Sequence, residues 1–287
     1  METQKLIYEI NMAQKVEDVL DIKNFEDGFK TIVKSIHPDI CKDPGAPEAM
    51  QKMNTWKQWF TKGRVLYDDA GEFTTNGYWA KFQGNTNSIQ NYRLLKSLKG
   101  RNHENFQKYI PQEGKLQQDG SFLLEFKDRA IPLSELVLPQ EHVNWVLNRL
   151  LEYCSYLAEN GLSHGGINPE SIFIVPETHG IQVCSFYHMG SIGKKAKTMS
   201  GKYSLWYPKS LRDTKIITPL TDIELSKRTA IYLLGDKSGS GVKLRKTANE
   251  KFLNFVLTQH ENAYECMTKY RELLKKNFKT QFYQLKI

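Results

Sequence analysis

Pro38 is the residue that most restricts how this chain can fold. It lacks an amide hydrogen and disfavours helix at the residue before it, so a helix arriving from the N-terminal side stops near His37. Such a helix is written in the preceding residues. Phe25, Phe29, Ile32, Val33 and Ile36 recur at helical spacing and share one face. Lys30 and Lys34, four residues apart, stack on another face, near the C-terminal end where the helix dipole favours cations. Beyond a loop containing Pro and Gly, Pro47 suits a first helical position, and Met50, Met53, Trp56 and Phe60 form a second apolar stripe. Two amphipathic helices joined by a loop carrying His37-Pro38-Asp39 are therefore expected. Gly28 is the local exception, since a glycine inside a helix costs up to about 1 kcal/mol against alanine.

Helix, exposed His-Pro-Asp loop, helix: this resembles the J domain of DnaJ-type co-chaperones over about residues 8–62. Val19-Leu20-Asp21-Ile22 is similar to the family's short apolar entry motif, and Met53-Asn54 to an apolar-Asn pair of its third helix. The resemblance implies that His37, Pro38 and Asp39 dock on a DnaK-type heat-shock chaperone and stimulate its ATPase. It assigns the electrostatic part of that docking to Lys30 and Lys34. The family's second helix is often more basic than two lysines.

A chain of 287 residues holds one large domain or two ordinary ones, and its 14 Phe, 14 Tyr and 5 Trp are enough to build real cores. No apolar run approaches the ~18 residues of a membrane span, and Met1-Glu-Thr-Gln-Lys does not read as a signal peptide. Cys41, Cys154, Cys184 and Cys266 are widely spaced, without metal-ligand pairing, which fits reduced thiols and a cytoplasmic protein. The net charge of +8 is unevenly spread, with −1 over residues 1–62, −3 over 63–186 and +12 over 187–287. The basic C-terminal third would suit nucleic acid or an acidic partner, although a solvated basic face is the commoner cause.

Lys62-Gly63 is the expected seam between domains. After it, residues 65–67, 78–82 and 122–126 read as strands and 89–98 as a helix. Val143, Val146, Leu147, Leu150, Leu151, Cys154, Leu157 and Ala158 mark a long helix that Gly161 would end. Residues 172–175 and 181–184 read as a hairpin, and 252–256 and 264–274 as two last helices.

Between the long helix and the hairpin lies Ser163-His164-Gly165-Gly166-Ile167-Asn168-Pro169-Glu170-Ser171. This is similar to the catalytic loop of protein kinases, His-Arg-Asp-Leu-Lys-Pro-Glu-Asn, at His164, Pro169 and Glu170. The resemblance extends weakly over about residues 63–275. It lays Lys81 on the lysine-bearing third strand, Asn91 on the helix C glutamate and Ser185-Phe186-Tyr187 on the Asp-Phe-Gly motif. Tyr203 and Pro208 fall near the end of the activation segment, and Asp222 on an anchoring aspartate of helix F.

Phosphoryl transfer needs a base and metal-binding carboxylates. The base position is Gly166, the metal-binding Asn position is Ser171, and the metal-binding Asp position is Ser185. No glycine-rich phosphate loop stands between residues 65 and 73, and Lys81 alone remains as a candidate phosphate contact, although a solvated strand lysine is the commoner case. The resemblance therefore implies a pseudokinase, with Lys81, Asn91, His164, Gly166, Ser171 and Ser185 as a degenerate site.

The expected fold class is α+β. An all-α J domain over residues 1–62 would precede a reduced two-lobed kinase-like domain over 63–287, with a small lobe to about residue 130. The expected function is that of an adaptor which brings a DnaK-type chaperone to an unidentified protein client. No catalytic residue, metal or cofactor is expected. One alternative is an atypical ATP-dependent enzyme using Lys81, His164 and Ser185; another is a nucleic-acid module in residues 187–287.

Overall fold

Eleven buried apolar side chains from three short helices and the turns between them form the first core: Ile7, Ile10, Val16, Leu20, Phe25, Phe29, Ile32, Ile36, Ala46, Ala49 and Met53. The computed structural model describes residues 2–100, 103–279 and 285. The helices are α1 (Glu2–Met12), α2 (Phe25–Ile36) and α3 (Ala46–Lys62). The Phe25 ring at the start of α2 stacks on Phe60 near the end of α3, 4.1 Å between centroids, so the two helices run antiparallel. The 37–45 loop is the connection at their other end.

In α3 the buried residues are Ala46, Ala49 and Met53, whereas Met50, Trp56 and Phe60 of the expected stripe are only partly buried. Two alanines allow the close approach between helices that larger side chains would prevent. Lys52 secures α1, its Nζ donating to the carbonyls of Asn11 (2.9 Å) and Ala13 (2.6 Å), groups a helix end leaves unpaired. Gly28 has a packing reason. A Cβ there would lie 2.5 Å from Leu20 Cδ2, so the glycine admits Leu20 to the core.

The chain divides into two compact units, Met1–Arg64 and Val65–Ile287. The second begins with a five-stranded sheet of order β1-β2-β3-β5-β4, comprising β1 (Arg64–Asp68), β2 (Gly71–Thr75), β3 (Trp79–Phe82), β4 (Glu113–Leu116) and β5 (Phe122–Glu125). Pairing of Phe82 with both Phe73 and Phe122, and of Ala80 with Leu124, sets one apolar face. Against this face packs α4 (Thr86–Ser97), whose Tyr92 meets Phe122 edge-on at 5.5 Å. Asn85 caps it, accepting the Asn87 amide at 2.9 Å. The short helix α5 (His103–Gln107) follows.

The remainder is mainly helical around α6 (Gln140–Glu159), with α7 (Lys209–Thr214), α8 (Leu220–Leu233), α9 (Glu250–Leu257) and α10 (Ala263–Asn277). Helix α6 is buried on more than its apolar stripe, because Asn144, Tyr153, Ser155 and Tyr156 are buried too. The strands β6 (Ile131–Pro132), β8 (Ile172–Val175) and β9 (Gly180–Val183) form a small sheet, and β7 (Leu162–Ser163) pairs with β10 (Gly190–Ser191). One continuous core runs from Phe73 to Tyr270 and Leu285, without a break near residue 130. The fold class is α+β. Among the described residues no helix is long and apolar enough to cross a membrane.

Candidate functional site

In the first unit, α2 stops because His37 takes extended angles (φ −58°, ψ 130°) ahead of Pro38. The His37 carbonyl then accepts the amides of both Ile40 and Cys41, each at 2.8 Å. Asp39 N–H donates to His37 Nδ1 at 3.3 Å, and Asp39 Oδ2 lies 3.5 Å from the same nitrogen. The tripeptide is thus a closed turn in which the imidazole and carboxylate face each other. Both remain accessible, the His37 side chain 43% and the Asp39 side chain 87% exposed. Lys30 and Lys34 are exposed on α2, and Lys30 meets Asp27 loosely at 3.8 Å. Ile40 was not foreseen as a site residue: it is 67% exposed directly after the tripeptide.

The second unit is organised around the loop that leaves α6. Gly161 turns the chain with φ +67°, and Gly165 repeats that angle where a Cβ would strike the His188 carbonyl at 2.5 Å. Asp222, in the first turn of α8, accepts the amides of His164 (2.7 Å) and Gly165 (2.8 Å). Burial raises the Asp222 carboxyl to about 6, against these hydrogen bonds, which favour its charged form. Burial, reinforced by nearby His188, lowers His164 to about 3, so its imidazole is neutral near pH 7. Its Nδ1 accepts the Gly166 amide at 3.3 Å.

Ser171 is committed to the same loop. Its hydroxyl donates to the Gly166 carbonyl at 2.7 Å and accepts the Asn168 amide at 3.0 Å. Asn168 Oδ1 accepts the amides of Glu170 and Ser171, each at 2.9 Å. Glu170 accepts from Tyr203 at 2.8 Å and pairs with Lys202, while Tyr207 donates to the Gly165 carbonyl at 2.7 Å. Segment 200–207 is therefore laid directly onto the loop.

Gly166 is the position where a base would be sought. A Cβ there would lie 2.8 Å from His188 Cδ2 and 3.2 Å from His188 Cβ, so the His188 ring fills the space a side chain would need. His188 Nε2 lies 3.3 Å from Asp69 Oδ2, and its Nδ1 3.0 Å from the Thr198 hydroxyl. Asp69, on the turn from β1 to β2, also accepts from Ser200 at 2.8 Å. Burial acts to raise the Asp69 carboxyl, but hydrogen bonds from His188 and Ser200 outweigh it and hold the group below its usual range. Its neighbour Asp68 is raised by burial, although Ser185 hydrogen-bonds to it. Sequence reasoning gave Asp68 and Asp69 no role, and nothing local to His188 signals this junction.

His164, Gly166, Ser171 and Ser185 are brought into one neighbourhood. Asn91 joins them through the backbone, donating to the Phe186 carbonyl at 2.8 Å. Lys81 does not join them. Alternation along β3 buries Ala80 and Phe82 and leaves Lys81 on the other face, where it pairs with Asp119 at 2.6 Å. The inward residue is Phe82, stacked on Phe73 at 4.7 Å. Phe73 and Phe126 in turn approach Phe173 of β8 at 6.1 and 5.5 Å. An apolar aromatic layer thus stands between the sheet and the loop's following strand. Among the described residues no group of three or more His, Cys, Asp or Glu is placed to hold a metal ion.

No protein-family model matches the chain, and no curated protein matches it in sequence.

Proposed function

We propose that the chain is a chaperone adaptor, with a J-type module in residues 1–64 and a catalytically degenerate kinase-like fold in residues 65–287. The observation that carries the chaperone half is the exposed His37-Pro38-Asp39 turn at the end of an antiparallel helical hairpin. A neutral or charged imidazole facing a carboxylate offers a partner donors and acceptors that the hairpin core does not consume. Lys30 and Lys34 add exposed positive charge on the same helix that enters the turn.

Support for the kinase-like half comes from order and bonding. A five-stranded sheet with α4 and α5 after its third strand is followed by a long helix, a loop and a hairpin. That loop is fastened to a buried aspartate of a later helix through the amides of His164 and Gly165. The catalytic groups are replaced by structural ones: Gly166 by packing against His188, Ser171 by bonds within the loop. The part this unit plays is to hold a client or partner protein.

The decisive measurement is DnaK ATPase turnover with the full chain and with His37→Gln. Stimulation by the wild-type chain and none by the variant is the expected result. Equal stimulation by both, or none by either, would sink the chaperone role.

A further inference from the structure

The second unit contains a cleft of about 680 Å³ that shares no residue with the loop described above. Its walls come from the end of α4, the segment between α5 and β4, the chain after β5, the middle of α6 and the β8–β9 hairpin. Lys96, Lys108, Lys127 and Arg149 line it, with Asp128 as its one carboxylate among the described residues. Residues 63–186 are net acidic, with 11 basic against 14 acidic side chains, so this gathering of cations runs against the composition of the segment.

Arg149 is already paired, donating to Glu152 at 3.0 Å. The three lysines are not: among the described residues none has a carboxylate within ion-pair distance, Lys108 meeting only the face of Tyr109. Lys96 is half-buried, and desolvation lowers its pKa, a penalty that a bound anion would offset. The cleft also holds Gln182, whose Nε2 donates to the Lys108 carbonyl at 2.7 Å while its Oε1 is buried without a partner among the described residues. An acceptor left so is a cost to the free protein that a ligand hydroxyl would remove.

We propose that this cleft binds a small molecule carrying two or more phosphate groups, held by Lys96, Lys108 and Lys127. Lys96, Lys108 and Lys127 line one cleft, so a multiply charged anion entering it can meet more than one cation. A phosphate brings up to two charges and three acceptor oxygens, whereas a single carboxylate satisfies one lysine. The volume falls within the roughly 300–1,000 Å³ of small-molecule sites.

The test is isothermal titration of the full chain with tripolyphosphate at low salt, alongside Lys96→Glu, Lys127→Glu and the control Lys251→Glu. Lys251 is an exposed residue of α9 outside the cleft. The expected result is one binding site per chain, weakened about tenfold or more by either cleft variant, the loss of one charge-assisted contact, and unchanged in the control. Unaltered melting temperatures of the variants would show that they are folded. Absence of binding at about 1 mM probe, or equal weakening in the control, overturns the site. A single-stranded RNA that binds more tightly than tripolyphosphate and depends on the same lysines overturns the small-molecule assignment.

Discussion

Asp222 is a carboxylate removed from water, and its two oxygens each receive a backbone amide from the loop. Free aspartate titrates near 3.9, and burial raises this one to about 6 in the folded chain. Between those values the folded state binds more protons than the unfolded state, so stability falls as pH rises through the window. The shift corresponds to about 3 kcal/mol, present in full below about pH 4 and lost by about pH 7. Asp69 acts in the opposite sense, since its folded pKa is lowered and its contribution is lost as pH falls. Comparison with Asp222→Asn isolates the first effect, because every other carboxylate is common to both proteins. The stability of wild type minus that of Asp222→Asn, from urea unfolding, is expected to drop by about 3 kcal/mol between pH 4 and pH 7. A flat difference would mean that Asp222 titrates as it does in water.

Helix α2 shows what periodicity reveals and what it leaves out. Its buried residues Phe25, Phe29, Ile32 and Ile36 were legible from spacing alone. The use of Ala46 and Ala49 in α3 was not, because small residues become the contact only once the neighbouring helix is known. In β3, by contrast, the two-residue period already put Ala80 and Phe82 on one face and Lys81 on the other. Lys81, laid on the lysine-bearing strand by the kinase-like resemblance, therefore stands on the outer face beside Asp119. Gly28 is a further element-level case, where local propensity and packing oppose each other. Alanine there would gain about 1 kcal/mol in the helix, but its Cβ would press on Leu20 at 2.5 Å. Overpacking a core costs about 1–3 kcal/mol, so Gly28→Ala is expected to destabilise the hairpin by about 1 kcal/mol. In a Leu20→Ala background the same change should stabilise by about 1 kcal/mol. The same sign in both backgrounds, measured by denaturant unfolding, would remove the packing explanation.

At the scale of the whole molecule, the two apolar cores share no side chain. The expected seam was Lys62-Gly63, and the two compact units divide after Arg64. The junction of Asp69, His188 and Ser200 was not legible in the sequence, since its members come from widely separated segments and each is ordinary in its own neighbourhood. Separate cores also make a claim about stability. A domain of about 60 residues buries only about 60% of its unfolded surface and is marginal, yet many of that size fold alone. Residues 1–64 bring eleven buried apolar side chains, stacking of Phe25 on Phe60 and the Lys52 cap, all of it internal to the segment. A fragment of residues 1–64 is therefore expected to melt in one cooperative transition and to stimulate DnaK ATPase as the full chain does at saturation. His37→Gln in the fragment should abolish stimulation while leaving its melting within about 0.5 kcal/mol of the parent, as for other exposed positions. A fragment that melts cooperatively but leaves DnaK turnover at its basal rate would separate the hairpin from the chaperone. The adaptor role would then have to be given up, even with the fold intact.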